Sequence, residues 1–389
     1  SNSLPSNSLP SNSLPSNSVP HSPTRAPCIE DSNHQLMLRM PKLVTSACLI
    51  VQAFIFLSSS EAQPNTETVA LPTINHHLLK NDEERFYMYV YRKFENQESR
   101  PFTGGKYGFV RNKKRTEDGV ICTKFHEGID IKPIKRDSSG NPLDDVNAIA
   151  AGRVVYCNPT SHHSSYGKYV VIEHRWQGGP VYSLYAHLSS ISVKAGQKIN
   201  LGETLGKLGY TGNGINRERA HLHLELGVMF CSDFTPWHDK YFSDPNHHGN
   251  YNGMNIAGLD IASFLIAKNK NQALTIPEFV SSMPVHYKVT IPRNQIKKGA
   301  PELLKRHPWM LQAPYQRNTP SLEVSFSASG FPITISPSER VVAAPSLSWI
   351  RDCRSKHDYH TKGFVIGSGQ RASLSKSGQR FIELICGQF

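Results

Sequence analysis

Long apolar runs are scarce in this chain of 389 residues. Residues 43–57 form one, interrupted by Thr45, Ser46 and Gln52, and it is short for a membrane span of about 20 residues. Nothing downstream is apolar enough to cross a bilayer. Heptads are missing, which argues against a coiled coil, and no cysteine pair has the Cys-x-x-Cys spacing of a structural zinc module. The chain opens on Ser rather than Met. What is present, 38% hydrophobic and 19% charged residues with Gly 27 and Pro 26, suits a globular chain of short strands and turns better than one of long helices. The length accommodates two or three domains of about 100–200 residues each.

Residues 1–39 read as leader. The first 20 are Ser-Asn-Ser-Leu-Pro three times and Ser-Asn-Ser-Val-Pro once, a polar repeat too short to bury a face. It is either a disordered tail or sequence upstream of the true start at Met37 or Met40, and the second is the expectation. From Met40, Lys42, the apolar run and Ser58-Ser59-Ser60-Glu61-Ala62 follow in the order of a secretory signal. Cleavage is expected after Ala62, leaving an exported chain without a stable membrane span.

Export changes how charge and cysteine are read. Arg25, Arg39 and Lys42 balance Glu30, Asp31 and Glu61, so the formal +12 stays with the part after residue 62. A basic exported protein is drawn to carboxylate-rich wall polymers and anionic lipids; nucleic acid is not an expected partner. The cluster Arg111-Asn112-Lys113-Lys114-Arg115 reads as a solvated loop. Five cysteines follow the leader, Cys122, Cys157, Cys231, Cys353 and Cys386, and an odd number leaves one unpaired if all bridges are internal. A bridge between Cys353 and Cys386 stays open.

Residues 63–100 are a polar approach in which Asn81 and Asp82 can cap a short helix carrying Phe86, Tyr89, Val90, Lys93 and Phe94, although the same aromatics suit a strand. Short apolar runs then alternate with turn residues. Strands are expected at 107–111, 128–132, 148–156, 169–174, 181–187, 204–208 and 220–226. Such spacing predicts a mainly β fold, an antiparallel sandwich or barrel-like core. Residues 231–272 read as loop with a helix over 258–268. Residues 273–389 read as a second β-rich domain, with a helix at 301–306 and strands at 322–326, 332–335 and 381–386.

The chemistry gathers at Ala220-His221-Leu222-His223-Leu224-Glu225-Leu226. Alternation places His221, His223 and Glu225 on one strand face and the leucines on the other. Phe125-His126-Glu127-Gly128-Ile129-Asp130 supplies a histidine and an aspartate at an even separation. Its start mimics His-Glu-x-x-His, but Asp130 stands where the second histidine would be and Gly128 disfavours a helix, so Glu127 is not the general base of that motif. A third segment, Leu184-Tyr185-Ala186-His187-Leu188, ends a strand on a lone histidine.

In this combination residues 101–228 resemble the lysostaphin-type and LytM-type zinc endopeptidases of bacterial cell walls. The glycine-punctuated stretch from Val193 to Gly212 and the early strand Ala148-Ile149-Ala150-Ala151-Gly152 carry the same likeness. The resemblance implies a core of the duplicated hybrid motif type over residues 101–230 and one zinc ion per chain. It makes His126, Asp130 and His223 the zinc ligands, and His187 and His221 the catalytic histidines. Two imidazoles and a carboxylate leave a position open for water, as a catalytic zinc requires, and the two further histidines can move protons. Peptidoglycan is the implied partner, with D,D-endopeptidase activity ahead of glycine-bridge cleavage and a periplasmic or extracellular, wall-associated location. The alternative is a non-enzymatic or occluded activator of a wall amidase, and oligomeric state stays open. Glu225 either orients a histidine or is a surface carboxylate. The loop 135–145 and the approach 213–220 depart from the family pattern, which leaves subsite preference open; His162, His163, His247 and His248 read as solvent-facing.

Overall fold

Apolar and polar residues alternate along Leu222–Met229, and in the computed structural model, which describes residues 67–316 and 318–389, this segment is the central strand. Gly179–Leu188 pairs antiparallel along one edge, placing Leu224 opposite Tyr185. The other edge is shared: Ile129–Ile131 pairs with the first half and Ile256–Gly258 with the second, both antiparallel. Beyond Gly179–Leu188 follow Lys168–Trp176, Gly152–Asn158 and Lys198–Ile199, completing an antiparallel sheet of seven strands. The sheet is open, and no barrel closes among the described residues.

The two faces of this sheet have different contents. Leu222, Leu224, Leu226, Val228, Ile129, Ile131, Val170 and Ile172 point into the main core and are almost wholly buried. The opposite face carries His223, Glu225 and Asp130, and farther along it Tyr169, Val171, Tyr182, Leu184, Ala186, Met229 and Ile256 form a smaller, aromatic-rich cluster. The site therefore sits on a sheet face that is itself covered.

Five smaller sheets accompany the seven strands among the described residues, three of them prominent. Asp145–Asn147, Thr204–Lys207 and Ser190–Ile191 make one, and the hairpin Gly108–Thr116 with Gly119–His126 makes another. Tyr287–Pro292, Ser321–Phe326, Pro332–Ser338 and Ser346–Ile350 form an antiparallel four-stranded sheet in the C-terminal part. The described residues cluster as one compact unit, and the main core runs from the central leucines through Phe264 to Val289, Phe326 and Ile382. Among the described residues no helix is long and apolar enough to cross a membrane.

Each strand expected before residue 228 falls on an observed one. Elsewhere local signals were overridden. Asp82 caps a helix as expected, but the helix stops at Phe86 and the chain turns extended, with Arg92–Phe94 in a strand. Phe381–Cys386, read as a strand, belongs to the helix Lys376–Cys386. Its buried positions Phe381, Ile382, Leu384 and Ile385 lie on one helical face, Ser375 accepts from Gly378 N, and Gly387 ends it in the left-handed region. The described cysteines, including Cys353 and Cys386, are all free thiols. The pentapeptide repeat, the apolar run 43–57 and the cleavage after Ala62 lie outside the described residues.

One glycine is needed for a close approach. A Cβ on Gly128 would stand 2.3 Å from the Leu224 carbonyl oxygen and 2.8 Å from Glu225 Cγ, so the turn between His126 and Asp130 lies directly against the central strand. Gly128→Ala is expected to lower stability by about 1–3 kcal/mol through overpacking, read as a fall in the urea midpoint at unchanged slope. A midpoint equal to that of the unaltered chain would show that the turn has room to move.

Candidate metal and catalytic site

Two neighbouring strands in register bring the first residues together. His126 ends Gly119–His126, Asp130 lies in the middle of Ile129–Ile131, and Asp130 is the direct cross-strand partner of His223. Ala186 faces His223 from the other side. His187, one residue on, has φ 65, a left-handed conformation that histidine visits more readily than bulky residues do and that is often retained at functional sites. His221 directly precedes the central strand.

All five side chains predicted from the sequence converge. Asp130 Oδ1 lies 3.1 Å from His126 Nε2, 3.0 Å from His223 Nδ1 and 3.3 Å from His221 Nε2. His126 Nε2 and His223 Nδ1 are 3.1 Å apart. The His187 ring lies 4.7 Å from that of His221 and 5.7 Å from that of His223, centroid to centroid. Every one of the five is buried.

The outward nitrogens define the proton pattern. His126 Nδ1 donates to Lys106 O, His187 Nδ1 to Thr211 O and His221 Nδ1 to Arg219 O, because a carbonyl oxygen only accepts. His223 is reversed, and its Nε2 donates to Glu225 Oε1 at 2.8 Å. Assigned from these partners, neutral His126 turns an Nε2 lone pair, and neutral His223 an Nδ1 lone pair, toward Asp130 Oδ1. Three acceptors without a proton repel unless a cation stands among them. The donor atoms lie within 4.8 Å of one another, and ligands of a tetrahedral ion at 2.0–2.2 Å bond lengths stand about 3.3–3.6 Å apart. The set fits a metal.

Titration follows from the same crowding. Burial opposes charge on Asp130, but His126, His221 and Arg111 outweigh it and hold the carboxyl well below the usual range. Burial also opposes charge on His223, yet Asp130 and Glu225 raise its pKa to about 9, so in the protein alone a proton is drawn to the same spot. Burial, with His221 and His223 nearby, pushes His187 well below the ordinary imidazole value and keeps it neutral.

Two contributors escaped the sequence reading. Arg111, expected in a solvated loop, lies in the strand Gly108–Thr116 beyond a bulge at 109–111; its Nη2 reaches Asp130 Oδ2 at 2.5 Å and its Nε donates to Gly104 O. That leaves Oδ1 to the histidines. Tyr166 donates its hydroxyl to Glu225 Oε1 at 2.6 Å, and its carbonyl accepts from His187 N. Neither had a local signal, because both act through strand register or a loop path. Glu225 itself is 1% exposed and orients His223, and its Oε2 is buried without a partner.

The departing loops pack against one another. Arg136 of the loop 135–145 donates to Arg217 O and Glu218 O. Glu218 accepts from Tyr89, Tyr91 and Arg100 of the N-terminal extension, and Arg219 Nε donates to Tyr89 O, so the approach to His221 is clamped from both sides. His162, His163, His247 and His248 form a separate ring cluster in which His163 and His247 stack at 4.5 Å.

Comparison with known proteins places this geometry. Residues 124–231 match the model of peptidase family M23. An 87-residue stretch is 38% identical to outer membrane antigenic lipoprotein B of Histophilus somni, covering 22% of each chain. A 69-residue stretch is 44% identical to the peptidoglycan DD-endopeptidase ShyA of Vibrio cholerae, covering 18% of this chain and 15% of that one. The chain thus spans less than a quarter of the length of these relatives. The catalytic domain of lysostaphin from Staphylococcus simulans aligns over 49% of this chain and 96% of its own at 18% identity, with a TM-score of 0.26. Peptidases of this family are metal-dependent, and the matched segment supplies all three of the converging donors. Over residues 124–231 the chain therefore matches peptidase family M23.

Proposed function

We propose that this chain is an exported zinc metallopeptidase that hydrolyses peptide bonds in peptidoglycan stems or cross-links, with D,D-endopeptidase cleavage ahead of glycine-bridge cleavage. The observation that carries the reading is the convergence of His126 Nε2, His223 Nδ1 and Asp130 Oδ1 beside two further imidazoles whose Nδ1 atoms are already committed. The D,D preference is supported by the named activity of the Vibrio cholerae relative. Export is supported by the leader and by a relative named as an outer membrane lipoprotein.

His126, Asp130 and His223 hold the metal, and Glu225 fixes the His223 ring from behind. Zinc, when bound, polarises the scissile carbonyl and lowers the pKa of water to about 7. His187 and His221 exchange protons only at Nε2, since Thr211 O and Arg219 O occupy the other nitrogen of each. One accepts the proton released as the water oxygen adds to the carbonyl carbon, and it returns a proton to the amine nitrogen as the C–N bond breaks. The other donates from Nε2 to the oxyanion that develops on the carbonyl oxygen, a role that needs a proton on both ring nitrogens and so does not suit His187, which burial keeps neutral. Their burial excludes bulk water from these transfers.

Asp130→Ala is expected to lose zinc and activity together, whereas His221→Ala keeps its zinc and loses activity. Metal content by atomic absorption and new amino termini released from purified peptidoglycan read the two. Zinc and activity both retained in Asp130→Ala would sink the ligand assignment, and bound zinc with no release by the unaltered chain would favour an amidase activator. Glu225→Ala leaves His223 Nε2 without an acceptor and is expected to weaken zinc about 10–100-fold, measured by competition with a chromophoric chelator. An unchanged affinity would mean that strand packing alone holds the ring.

A further inference from the structure

Arg219 stands two residues before His221, in the approach 213–220 that departs from the family pattern. Its backbone N–H donates to Asn216 Oδ1 and its carbonyl accepts from His221 Nδ1, while its side-chain Nε donates to Tyr89 O. Main chain and side chain are therefore both pinned beside a catalytic histidine. The residue is half-buried, and beyond Nε its guanidinium makes no hydrogen bond or ion pair among the described residues. Nη1 and Nη2 thus remain donors without a protein acceptor.

The acids that could answer this charge are committed elsewhere. Glu218, the preceding residue, accepts from Tyr89, Tyr91 and Arg100. Asp130 is close enough to attract the Arg219 guanidinium, but Arg111 holds its Oδ2 and the histidines surround its Oδ1. Further cations crowd the same place. Arg92 is held by neutral acceptors, Val110 O and Asn112 Oδ1, and forms no ion pair among the described residues. Burial, and then the neighbouring arginines, push both Arg92 and Arg219 below the ordinary guanidinium value. A guanidinium left in this condition suits a carboxylate taken end-on, in two parallel N–H···O bonds.

We propose that Arg219 binds, through Nη1 and Nη2, a free carboxylate that the substrate peptide carries next to its scissile bond, with the charge of Arg92 assisting. The inference rests on the peptidase reading and narrows its substrate. In a D,D cross-link made on a diamino diacid such as diaminopimelate, the carbon bonded to the departing nitrogen bears such a carboxylate. A glycine bridge has none beside its scissile bond. Arg219 therefore separates the two substrate classes by charge, whereas His187 and His221 serve either.

Two pairs of probes test this, each pair differing only in whether that carboxylate is free or a carboxamide: the cross-linked dimer, and the tripeptide L-Ala-γ-D-Glu-diaminopimelate from its amine side. The full zinc-loaded chain is titrated with the tripeptides by calorimetry and assayed on the dimers by release of amino termini. The free acid is expected to bind at least about ten-fold more tightly than the carboxamide, and the dimers to show the same preference in kcat/KM, carried by KM. In Arg219→Gln both ratios are expected to fall to about one. Arg219→Lys restores part of the preference, because it returns the charge without the planar fork, and Arg92→Gln lowers it by a smaller factor. Zinc content and the urea midpoint check that each variant keeps its fold. Equal binding of acid and carboxamide by the unaltered chain overturns the site, as does a preference that survives in Arg219→Gln; if that surviving preference vanishes with a chelator, the carboxylate sits on the metal instead. Cleavage of both dimers without preference overturns the site and leaves the peptidase reading standing. Acid-selective binding that depends on Arg219, with neither dimer cleaved, supports the site and overturns the peptidase reading.

Discussion

A single carboxylate oxygen anchors the site. Asp130 Oδ1 stands within 3.3 Å of three imidazole nitrogens while Arg111 takes the other oxygen. Such a group is costly to bury unless its charge is answered from several directions. Asp130 is answered on one side by a guanidinium and on the other by nitrogens that share a proton or a metal. Antiparallel pairing of Ile129–Ile131 with the central strand makes this possible, because it sets Asp130 directly across from His223. A slip of one residue would turn Asp130 into the core and an isoleucine into the site.

Support for the site spreads outward from this register. The same sheet face carries the tyrosine-rich cluster, and Tyr166 links that cluster to both Glu225 and the backbone of His187. On the other flank the N-terminal extension and the loop 135–145 grip residues 217–219, immediately before His221. The pieces that depart from the family pattern therefore serve to hold the pieces that follow it.

Much of the site was legible in the sequence because strand periodicity carries it. An even separation put His221 with His223 and leucines at alternate positions marked the buried face, whereas His126 meets Asp130 across a turn at 127–128 and not along one strand. Arg111 was not legible, since a bulge changes the register between Phe109 and its neighbours and no local pattern announces one. Phe381–Cys386 was misread for a related reason: a short apolar run fits strand and buried helix alike, and only Ser375 and Gly387 at its ends, together with packing on Phe230 and Phe326, decide for helix. The strands Tyr287–Pro292 and Ser346–Ile350 passed unnoticed because their partners lie far along the chain, Ser321–Phe326 for the first and residues 287–290 for the second.

The main-chain carbonyls of Lys106, Thr211 and Arg219 each take the Nδ1 proton of one histidine. The tautomer of three of the four imidazoles is thus written into the path of the backbone and not into neighbouring side chains. The side chains at these positions act one step back, tying the same backbone to Glu83, Leu188 and Tyr89. An insertion that reroutes one of those loops would remove the carbonyl and release the ring to the other tautomer.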